Sequence, residues 1–271
     1  MAIASNRSSS GSANAHGRLR GRSTCHSSWA KGIDISGSTD ANGVASVAFL
    51  LDVDNTLLDN DRITADLRRF LQREVGPDRA RRYFELFEEL RSELGYADYL
   101  GTLQRYRSEH PRDPNVLHLS HYLIDYPFAN RLYPESLDVI DLLKTLGPVV
   151  ILSDGDVVFQ PRKIDRSGLW SAVDGNVLIY VHKEHELDDV EARFPARRYV
   201  LIDDKLRILH AIKGVWGERV TTIFPRQGHY AHDPRVLADY PAADVTVERI
   251  GDVLRLERDL LSGRRAIRPR I

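Results

Sequence analysis

The sequence predicts an α/β protein with a Rossmann-like parallel sheet, helices on both faces of that sheet, and an inserted α-helical cap. Short apolar runs of strand length alternate with segments of helical period, which is the pattern of successive βα units. Most of these runs are apolar throughout, as expected for strands that are covered on both faces. After the first run, about 90 residues are mostly helical in period, which indicates a large insertion.

The strand candidates end in turn or polar residues, and helix signals follow them. Predicted strands cover residues 47–52, 149–153, 177–181, 200–203, 220–224 and 245–250. One predicted helix begins near Pro134 and ends before Gly147, which are typical first-turn and stop residues. Two more cover residues 206–216 and 252–261, where leucine and isoleucine recur at helical spacing.

The chain divides into three regions by composition. Residues 1–46 are rich in Ser, Gly, Asn and Ala without a sustained apolar period, so we expect a disordered tail. A transit peptide would share the arginine and serine bias of this tail, but its many glycines and the missing amphipathic pattern disfavour that interpretation. The predicted α/β core comprises 47–59 and 130–271, and the predicted helical cap comprises 60–129.

Composition excludes several classes of function. The chain has 38 basic and 39 acidic residues, so binding of nucleic acid through bulk charge is not expected. The longest apolar runs have the length of strands, so no membrane anchor is expected either. The single cysteine, Cys25, cannot form an internal disulfide, which suits a reducing cytoplasm. Only six of the basic residues are lysines, so each lysine calls for an explanation.

The most informative stretch follows the first predicted strand. Asp52 ends that strand and Asp54 comes two residues later, followed by Asn55 and Thr56. Two neighbouring carboxylates repel each other unless a cation or proton lies between them, and oxygen ligands of this kind favour Mg²⁺. This motif resembles the first motif of the haloacid dehalogenase superfamily of Mg²⁺-dependent phosphohydrolases.

The other motifs of that superfamily are matched in order along the chain. Ser153 ends the second strand, where the resemblance implies a hydrogen bond to a phosphate oxygen. The third motif is a lysine, and Lys183 is preferred because it follows a predicted strand and opens a helical segment over 184–194. The competing Lys163 is expected to face solvent on its helix. An acidic pair, Asp203 and Asp204, matches the fourth motif.

The resemblance implies a ligand set and a mechanism. Either Asp203 or Asp204 would be the principal Mg²⁺ ligand, and the Asp52 side chain and the Asp54 backbone carbonyl would complete the metal site. Asp52 would be the nucleophile that forms an aspartyl-phosphate, and Asp54 the general acid and base. The residues expected to contact the phosphate or substrate are Thr56, Ser153, Asp154, Gly155 and Lys183.

The resemblance favours a phosphatase acting on a small phosphorylated metabolite. Dehalogenases of the superfamily lack an acid at the position of Asp54, so a phosphate ester is favoured over a haloacid. Two alternatives stay open: a phosphosugar mutase or phosphotransferase of the same superfamily, and a non-catalytic regulator that keeps the fold. No nucleic-acid partner is expected, and the sequence does not indicate an oligomeric state.

Substrate choice is expected to depend on the cap and on loops at the same edge of the sheet. Candidates in the cap are Arg91, Tyr96, Arg105, Arg107 and His121, although solvated helix faces explain most such residues. Arg226 and His229 follow the fifth strand and are further candidates. His182 and His185 flank Lys183, but two histidines without a cysteine do not indicate a zinc site.

Overall fold

The computed structural model of the chain describes residues 43–262. The predicted tail therefore lies outside the described residues, except for its last four positions. The first strand, β1, already begins at Ala45 within those positions, where Ala45 N donates to Pro195 O at 3.0 Å. The predicted end of the tail at residue 46 is therefore too late in the sequence. The last residues of the predicted tail are small and give little apolar signal.

Six parallel strands form one sheet in the order β3-β2-β1-β4-β5-β6. This confirms the predicted fold class, an all-parallel α/β sheet. The fourth strand is predicted to start at residue 200, but β4 starts at Ala196. Two arginines among its first residues interrupt the apolar run, so the apolar pattern does not indicate this start. The strands are β1 (Ala45–Leu51), β2 (Val149–Asp154), β3 (Val177–Tyr180), β4 (Ala196–Ile202), β5 (Val220–Pro225) and β6 (Val245–Val247).

Four of the α-helices between β1 and β2 lie within residues 60–125, which we call the helical insertion. They are α1 (Asn60–Val75), α2 (Pro77–Leu94), α3 (Tyr99–Glu109) and α4 (Val116–Asp125). The remaining α-helices of the described chain are α5 (Ser136–Lys144), α6 (Phe159–Arg166), α7 (Leu169–Ala172), α8 (Leu187–Arg193), α9 (Leu206–Trp216), α10 (Pro234–Asp239) and α11 (Arg258–Leu261).

Two predicted helices are interrupted in the structure. The segment predicted over 184–194 divides into a 3₁₀ turn, Lys183–His185, and α8. The segment predicted over 252–261 divides into a 3₁₀ helix, Ile250–Arg255, and α11, because Leu256 adopts an extended conformation between them. Sequence periodicity detects the apolar face in such segments but not a change in backbone hydrogen bonding.

Apolar side chains cover both faces of the sheet. Successive residues of β1 alternate between the two clusters: Phe49 and Leu51 pack with the helical insertion, α5 and α6, whereas Ala48 and Leu50 pack with α9. Because both faces are buried, β1 shows the continuous apolar run that the sequence displays. Within residues 43–262, no helix has the length and apolar character that crossing a membrane requires.

The chain order of the strands reverses between β1 and β4. The chain proceeds from β1 outward to β3, then returns to the other side of β1 and continues outward to β6. In open parallel sheets, ligands bind beyond the carboxyl ends of the strands at such a reversal. The residues that follow β1 and β4 therefore occupy the edge where a site is expected.

Candidate active site

Carboxylates and a lysine meet where β1 and β4 end. Asp52 follows β1, and its backbone N–H donates to Ile202 O at 2.9 Å, which fixes the end of β1 against β4. Asp203 and Asp204 come directly after β4. One carboxylate oxygen from each of these three residues lies within 4.8 Å of the others. The structure thus brings together the first and fourth predicted motifs.

Lys183 completes this cluster from the end of β3. Its Nζ lies 2.5 Å from Asp52 Oδ1, 2.7 Å from Asp203 Oδ2 and 3.1 Å from Leu152 O. The lysine is fully buried. Burial alone lowers the pKa of Lys183, but the charges of Asp203 and Asp52 outweigh that effect and raise the pKa well above its ordinary value. Lys183 is therefore a permanent cation between two carboxylates.

Asp204 lacks the partners that Asp203 has. Asp203 Oδ1 accepts from Lys205 N at 2.8 Å, and its other oxygen pairs with Lys183. Both side-chain oxygens of Asp204, Oδ2 of Asp52 and Oδ2 of Asp203 are buried without a hydrogen-bond partner among the described residues, although Asp203 Oδ2 forms the ion pair with Lys183. Burial is the largest influence on Asp204 and raises its carboxyl pKa, and repulsion from Asp203 and Asp52 adds to this. Unpartnered carboxylate oxygens in the interior are costly unless a cation binds them.

The cluster contains more acidic than basic groups, which favours the binding of a cation. Three carboxylates, on Asp52, Asp203 and Asp204, face two ammonium groups, on Lys183 and Lys205. Burial lowers the pKa of Lys205, but the three carboxylates more than offset this, so Lys205 stays protonated. Clustered oxygens of this kind are the ligands that Mg²⁺ prefers. The donor set therefore fits a hard divalent cation.

The loop after Asp52 is held in an unusual conformation. Asn55 has a φ of 62°, a left-handed conformation that asparagine tolerates better than most residues. Gly228 packs against it so closely that a Cβ there would lie 2.5 Å from Asn55 Cβ. Thr56, expected to contact the substrate, is fully buried and accepts from Asp204 N at 3.0 Å through its hydroxyl. This hydrogen bond thus links the loop after β1 to the loop after β4.

The second motif lies beside this loop. Ser153 is buried, and its hydroxyl accepts from Gln160 Nε2 at 2.9 Å. The Asp154 carboxylate accepts from Lys183 N at 2.8 Å, so it orients the lysine backbone. Gly155 passes so close to the Gln160 side chain that a Cβ on this glycine would lie 2.9 Å from it. Asp154 and Gly155 line the cavity described below.

The expectation that Lys163 faces solvent is wrong. Lys163 is 1% exposed, and its Nζ lies 2.7 and 2.9 Å from the two carboxylate oxygens of Asp54. Sequence reasoning also missed Gln160, which neighbours Ser153, and Asn60, whose Oδ1 lies 3.1 Å from Lys163 Nζ. The available signal was the position of Lys163 four residues after Phe159, on the apolar face of α6.

A cavity of about 760 Å³ opens between the helical insertion and the carboxyl edge of the sheet. Asp54, Lys163 and Lys205 line its inner end. Arg91 of α2 and Tyr230, which follows β5, meet across it, with Arg91 Nη2 2.7 Å from the tyrosine hydroxyl. Other lining residues are Asn55, Asn60, Asp61, Thr64, Arg68, Phe87, Tyr96, Tyr99, Arg207, His229 and Tyr240.

The predicted substrate residues divide between the cavity and the surface. Arg91, Tyr96 and His229 line the cavity, and the His229 ring lies 2.7 Å from an Asp61 carboxylate oxygen. Arg105 instead pairs with Glu93 on the exposed surface, and Arg226 pairs with Glu248. Arg107 and His121 do not line this cavity. His182 and His185 lie with ring centroids 5.6 Å apart.

Fold and site together are those of an α/β protein whose clustered carboxylates and lysine lie at the strand ends of a parallel sheet. A crystal structure of a protein from Burkholderia xenovorans LB400, assigned to the haloacid dehalogenase-like hydrolases, is 62% identical to the chain, with a TM-score of 0.75. That match covers 78% of the chain and 99% of the other protein. The chain belongs to the haloacid dehalogenase-like hydrolases.

More distant structures share the fold. An L-2-haloacid dehalogenase from Xanthobacter autotrophicus is 18% identical, with a TM-score of 0.53 over 78% of the chain and 98% of its own length. The hydrolase YfnB from Bacillus subtilis, solved bound to magnesium, is 15% identical, with a TM-score of 0.51 over 77% of the chain and 96% of its own length. No protein-family model matches the sequence, and a search of curated proteins found no match.

Proposed function

We propose that the chain is a Mg²⁺-dependent phosphohydrolase that cleaves a small phosphate ester through an aspartyl-phosphate on Asp52. The observation that supports this most directly is the set of buried, unpartnered oxygens on Asp52 and Asp204 beside the cation Lys183. A nucleophilic carboxylate, a cation and free oxygen ligands at one point are the groups that phosphoryl transfer to an aspartate requires.

Asp52 and Asp204 would hold the metal through their side chains. Asp204 is the better ligand of the acidic pair because neither of its oxygens has a hydrogen bond or ion pair among the described residues, whereas Asp203 Oδ1 accepts from Lys205 N and its Oδ2 forms an ion pair with Lys183. Bound Mg²⁺ would supply positive charge that neutralises the oxygens of the transferring phosphoryl group.

The reaction follows from the positions of the chain's own groups. A carboxylate oxygen of Asp52 attacks phosphorus, so that an O–P bond to Asp52 forms as the ester P–O bond breaks. Lys183 pairs with Asp52 and offsets negative charge on the phosphoryl group. Asp54, whose side chain is 25% exposed to the cavity, donates a proton to the departing alcohol.

The second half-reaction regenerates the enzyme. Asp54, now ionised, takes a proton from a water molecule that attacks phosphorus, and the bond between Asp52 and phosphorus breaks. Inorganic phosphate leaves, and Asp52 is again a carboxylate paired with Lys183. Ser153, whose hydroxyl lies in reach of Gln160 beside this site, would donate to a phosphate oxygen.

Size and lining of the cavity support a small ester as substrate. About 760 Å³ is within the range of pockets that hold metabolites and drug-sized ligands. A haloacid is the competing substrate, since the more distant structures include an L-2-haloacid dehalogenase. Asp54 favours the ester, because an alkoxide leaving group requires a proton and a halide does not.

Hydrolysis of an aryl phosphate with and without Mg²⁺ tests the proposal. We expect phosphate release that depends on the metal, is abolished by D52N and D54N, and persists in D165N, which alters an exposed carboxylate of α6. Chloride release from 2-chloropropionate is measured in parallel. Activity that survives D52N, or chloride release without ester hydrolysis, would contradict the proposal. Transfer of phosphate to an added sugar instead of water would indicate the mutase alternative.

A further inference from the structure

Helix α6 presents two polar side chains on its buried face. Phe159 and Ile164 belong to the apolar core, yet Gln160 and Lys163 lie on the same side of the helix and are 3% and 1% exposed. A lysine is almost never this buried unless its charge is paired. The proposed function assigns no role to either residue.

Every hydrogen-bond donor of Lys163 has an acceptor. An ammonium group has three N–H donors, and its acceptors here are the two carboxylate oxygens of Asp54 and Asn60 Oδ1. The stem lies along the Phe159 ring, with Nζ 5.5 Å from the ring centroid. Lys163 therefore has no donor left for a substrate, and its geometry is directed at Asp54.

Gln160 links the same carboxylate to Ser153. Its Nε2 lies 2.9 Å from Ser153 Oγ and 3.4 Å from Asp54 Oδ2. Gln160 and Lys163 lie one turn apart on α6. Through them α6 contacts both Asp54 of the first motif and Ser153 of the second. Asp54 itself lies on a loop with its side chain partly exposed to the cavity, and the hydrogen bonds that its carboxylate accepts from the described residues come from Gln160 and Lys163 of α6.

We propose that Lys163 is the positioning residue of Asp54, holding its carboxylate in the orientation from which it can reach the leaving group. Proton transfer requires the acid to lie within hydrogen-bonding distance of the departing oxygen, and a free rotamer spends little time there. The consequence for the reaction rests on the proposed phosphatase function. The structural part, that Lys163 determines the orientation of Asp54, does not.

The kinetic test uses K163M, which keeps the length and removes the charge, and K163R, which keeps the charge. K144M is the matched control, because Lys144 forms a half-exposed ion pair with Asp174 away from the cavity. Substrates are phenyl phosphate, whose leaving group needs a proton, and p-nitrophenyl phosphate, whose leaving group needs it far less. We expect K163M to lower kcat about 10²-fold on phenyl phosphate and markedly less on p-nitrophenyl phosphate, with little change in KM.

A double variant separates positioning from other roles. If Lys163 acts through Asp54, adding K163M to D54N lowers kcat no further, and K163R recovers part of the activity of K163M. An equal loss on both esters, a loss mainly in KM, or an additive loss in D54N/K163M would overturn the proposal. Circular dichroism and the melting temperature show whether K163M folds, and K163Q replaces it if it does not.

A crystal structure of K163M, or of K163Q, tests the orientation without any activity. We expect the Asp54 carboxylate to turn away from α6 or to become disordered, while Asp52 and Lys183 keep their contact. An unchanged Asp54 would overturn the proposal. If the wild-type enzyme hydrolyses no phosphate ester, the proposed function fails, and this structural comparison still decides whether Lys163 positions Asp54.

Discussion

The ammonium group of Lys183 lies 2.5 Å from Oδ1 of Asp52, and both side chains are buried. The same ammonium group lies 2.7 Å from Asp203, so one cation separates two carboxylates that follow adjacent strands. Without this cation, the Asp52 and Asp203 carboxylates would repel each other. The charge balance of the Asp52 carboxylate therefore depends on Lys183.

Substitution of Lys183 by methionine tests this dependence. We expect K183M to lower kcat by about 10²-fold or more, because the attacking carboxylate loses its charge balance and the phosphoryl group loses a cation. The measurement is steady-state hydrolysis of an aryl phosphate at saturating Mg²⁺, with K144M as the control that removes a half-exposed lysine. Circular dichroism shows whether K183M is folded. A folded K183M with nearly wild-type kcat would contradict the assigned role.

Asp204 is expected to destabilise the protein when no metal is bound. Its two oxygens are buried without hydrogen-bond partners among the described residues and burial raises its carboxyl pKa, so D204N removes a group whose ionisation burial disfavours. We expect D204N to stabilise the metal-free protein by on the order of 1 kcal/mol, which raises the melting temperature by about 2–4 °C for a domain of this size. The same variant should lose most of the additional stability that Mg²⁺ gives the wild type.

Thermal unfolding in a chelator and in Mg²⁺ measures both effects for wild type, D204N and D203N. D165N serves as the control because its carboxylate is exposed and remote from the cluster. D203N should behave differently from D204N, since Asp203 is paired with Lys183 and its loss leaves that cation with one partner fewer. A metal-free D204N that melts below the wild type would show that Asp204 is satisfied without a cation.

The sequence predicts the strand-end residues of the site well and the contacts between loops poorly. Apolar runs followed by Asp52, Ser153 and Asp203 place these residues at one edge of a parallel sheet, because all strands of such a sheet end at the same edge. The family that the motifs indicate is confirmed by the relative that is 62% identical. The roles of the individual residues stay predictions.

Lys163 and Thr56 show why the rest could not be predicted. Helical spacing from Phe159 places Lys163 on the apolar face of α6, but only the packing of α6 against the loop after β1 shows that its ammonium group meets Asp54. Thr56 belongs to a motif that suggests substrate contact, but its hydroxyl accepts a hydrogen bond from Asp204 N in the loop after β4. The positions of the Lys163 ammonium group and the Thr56 hydroxyl both depend on contacts between segments that are far apart in sequence. Local sequence patterns do not reveal such contacts.

Arg91 and Tyr230 connect the helical insertion to the core across the cavity. Arg91 Nη2 donates to the Tyr230 hydroxyl at 2.7 Å, and Arg91 also lies 3.3 Å from Glu88. We expect Y230F to raise KM by up to about tenfold with a smaller effect on kcat. The variant loses the hydrogen bond that joins α2 to the core across the cavity, whereas Asp52 is unchanged. Steady-state kinetics on one ester measure both constants.

Y122F is the matched control for Y230F. Tyr122 lies in α4 of the helical insertion and stacks on Phe70 with ring centroids 3.8 Å apart, away from the cavity. Loss of its hydroxyl should leave both kinetic constants unchanged. A fall in kcat with constant KM in Y230F would instead assign Tyr230 to the chemical step.

Asp66 should give the protein an acid-sensitive contact at the base of the helical insertion. Burial raises the pKa of the Asp66 carboxyl, but hydrogen bonds from Tyr126 and Arg131, at 2.5 and 2.7 Å, outweigh this and hold it below 3.8. A carboxyl whose pKa is lower in the folded state stabilises the protein above the unfolded pKa, and this stabilisation is lost as pH falls through the folded pKa. The stabilisation is therefore complete at neutral pH and decreases below about pH 4.

The variant D66N measures this contribution. At neutral pH we expect D66N to be less stable than the wild type by about 1–3 kcal/mol, the range for hydrogen bonds to charged groups. The difference should shrink as the pH is lowered from about 5 to about 3, because the wild-type carboxyl takes up a proton while asparagine does not titrate. Urea unfolding across this range gives the free energies, with D165N as the exposed control. A difference that stays constant with pH would show that Asp66 stabilises the fold by packing alone.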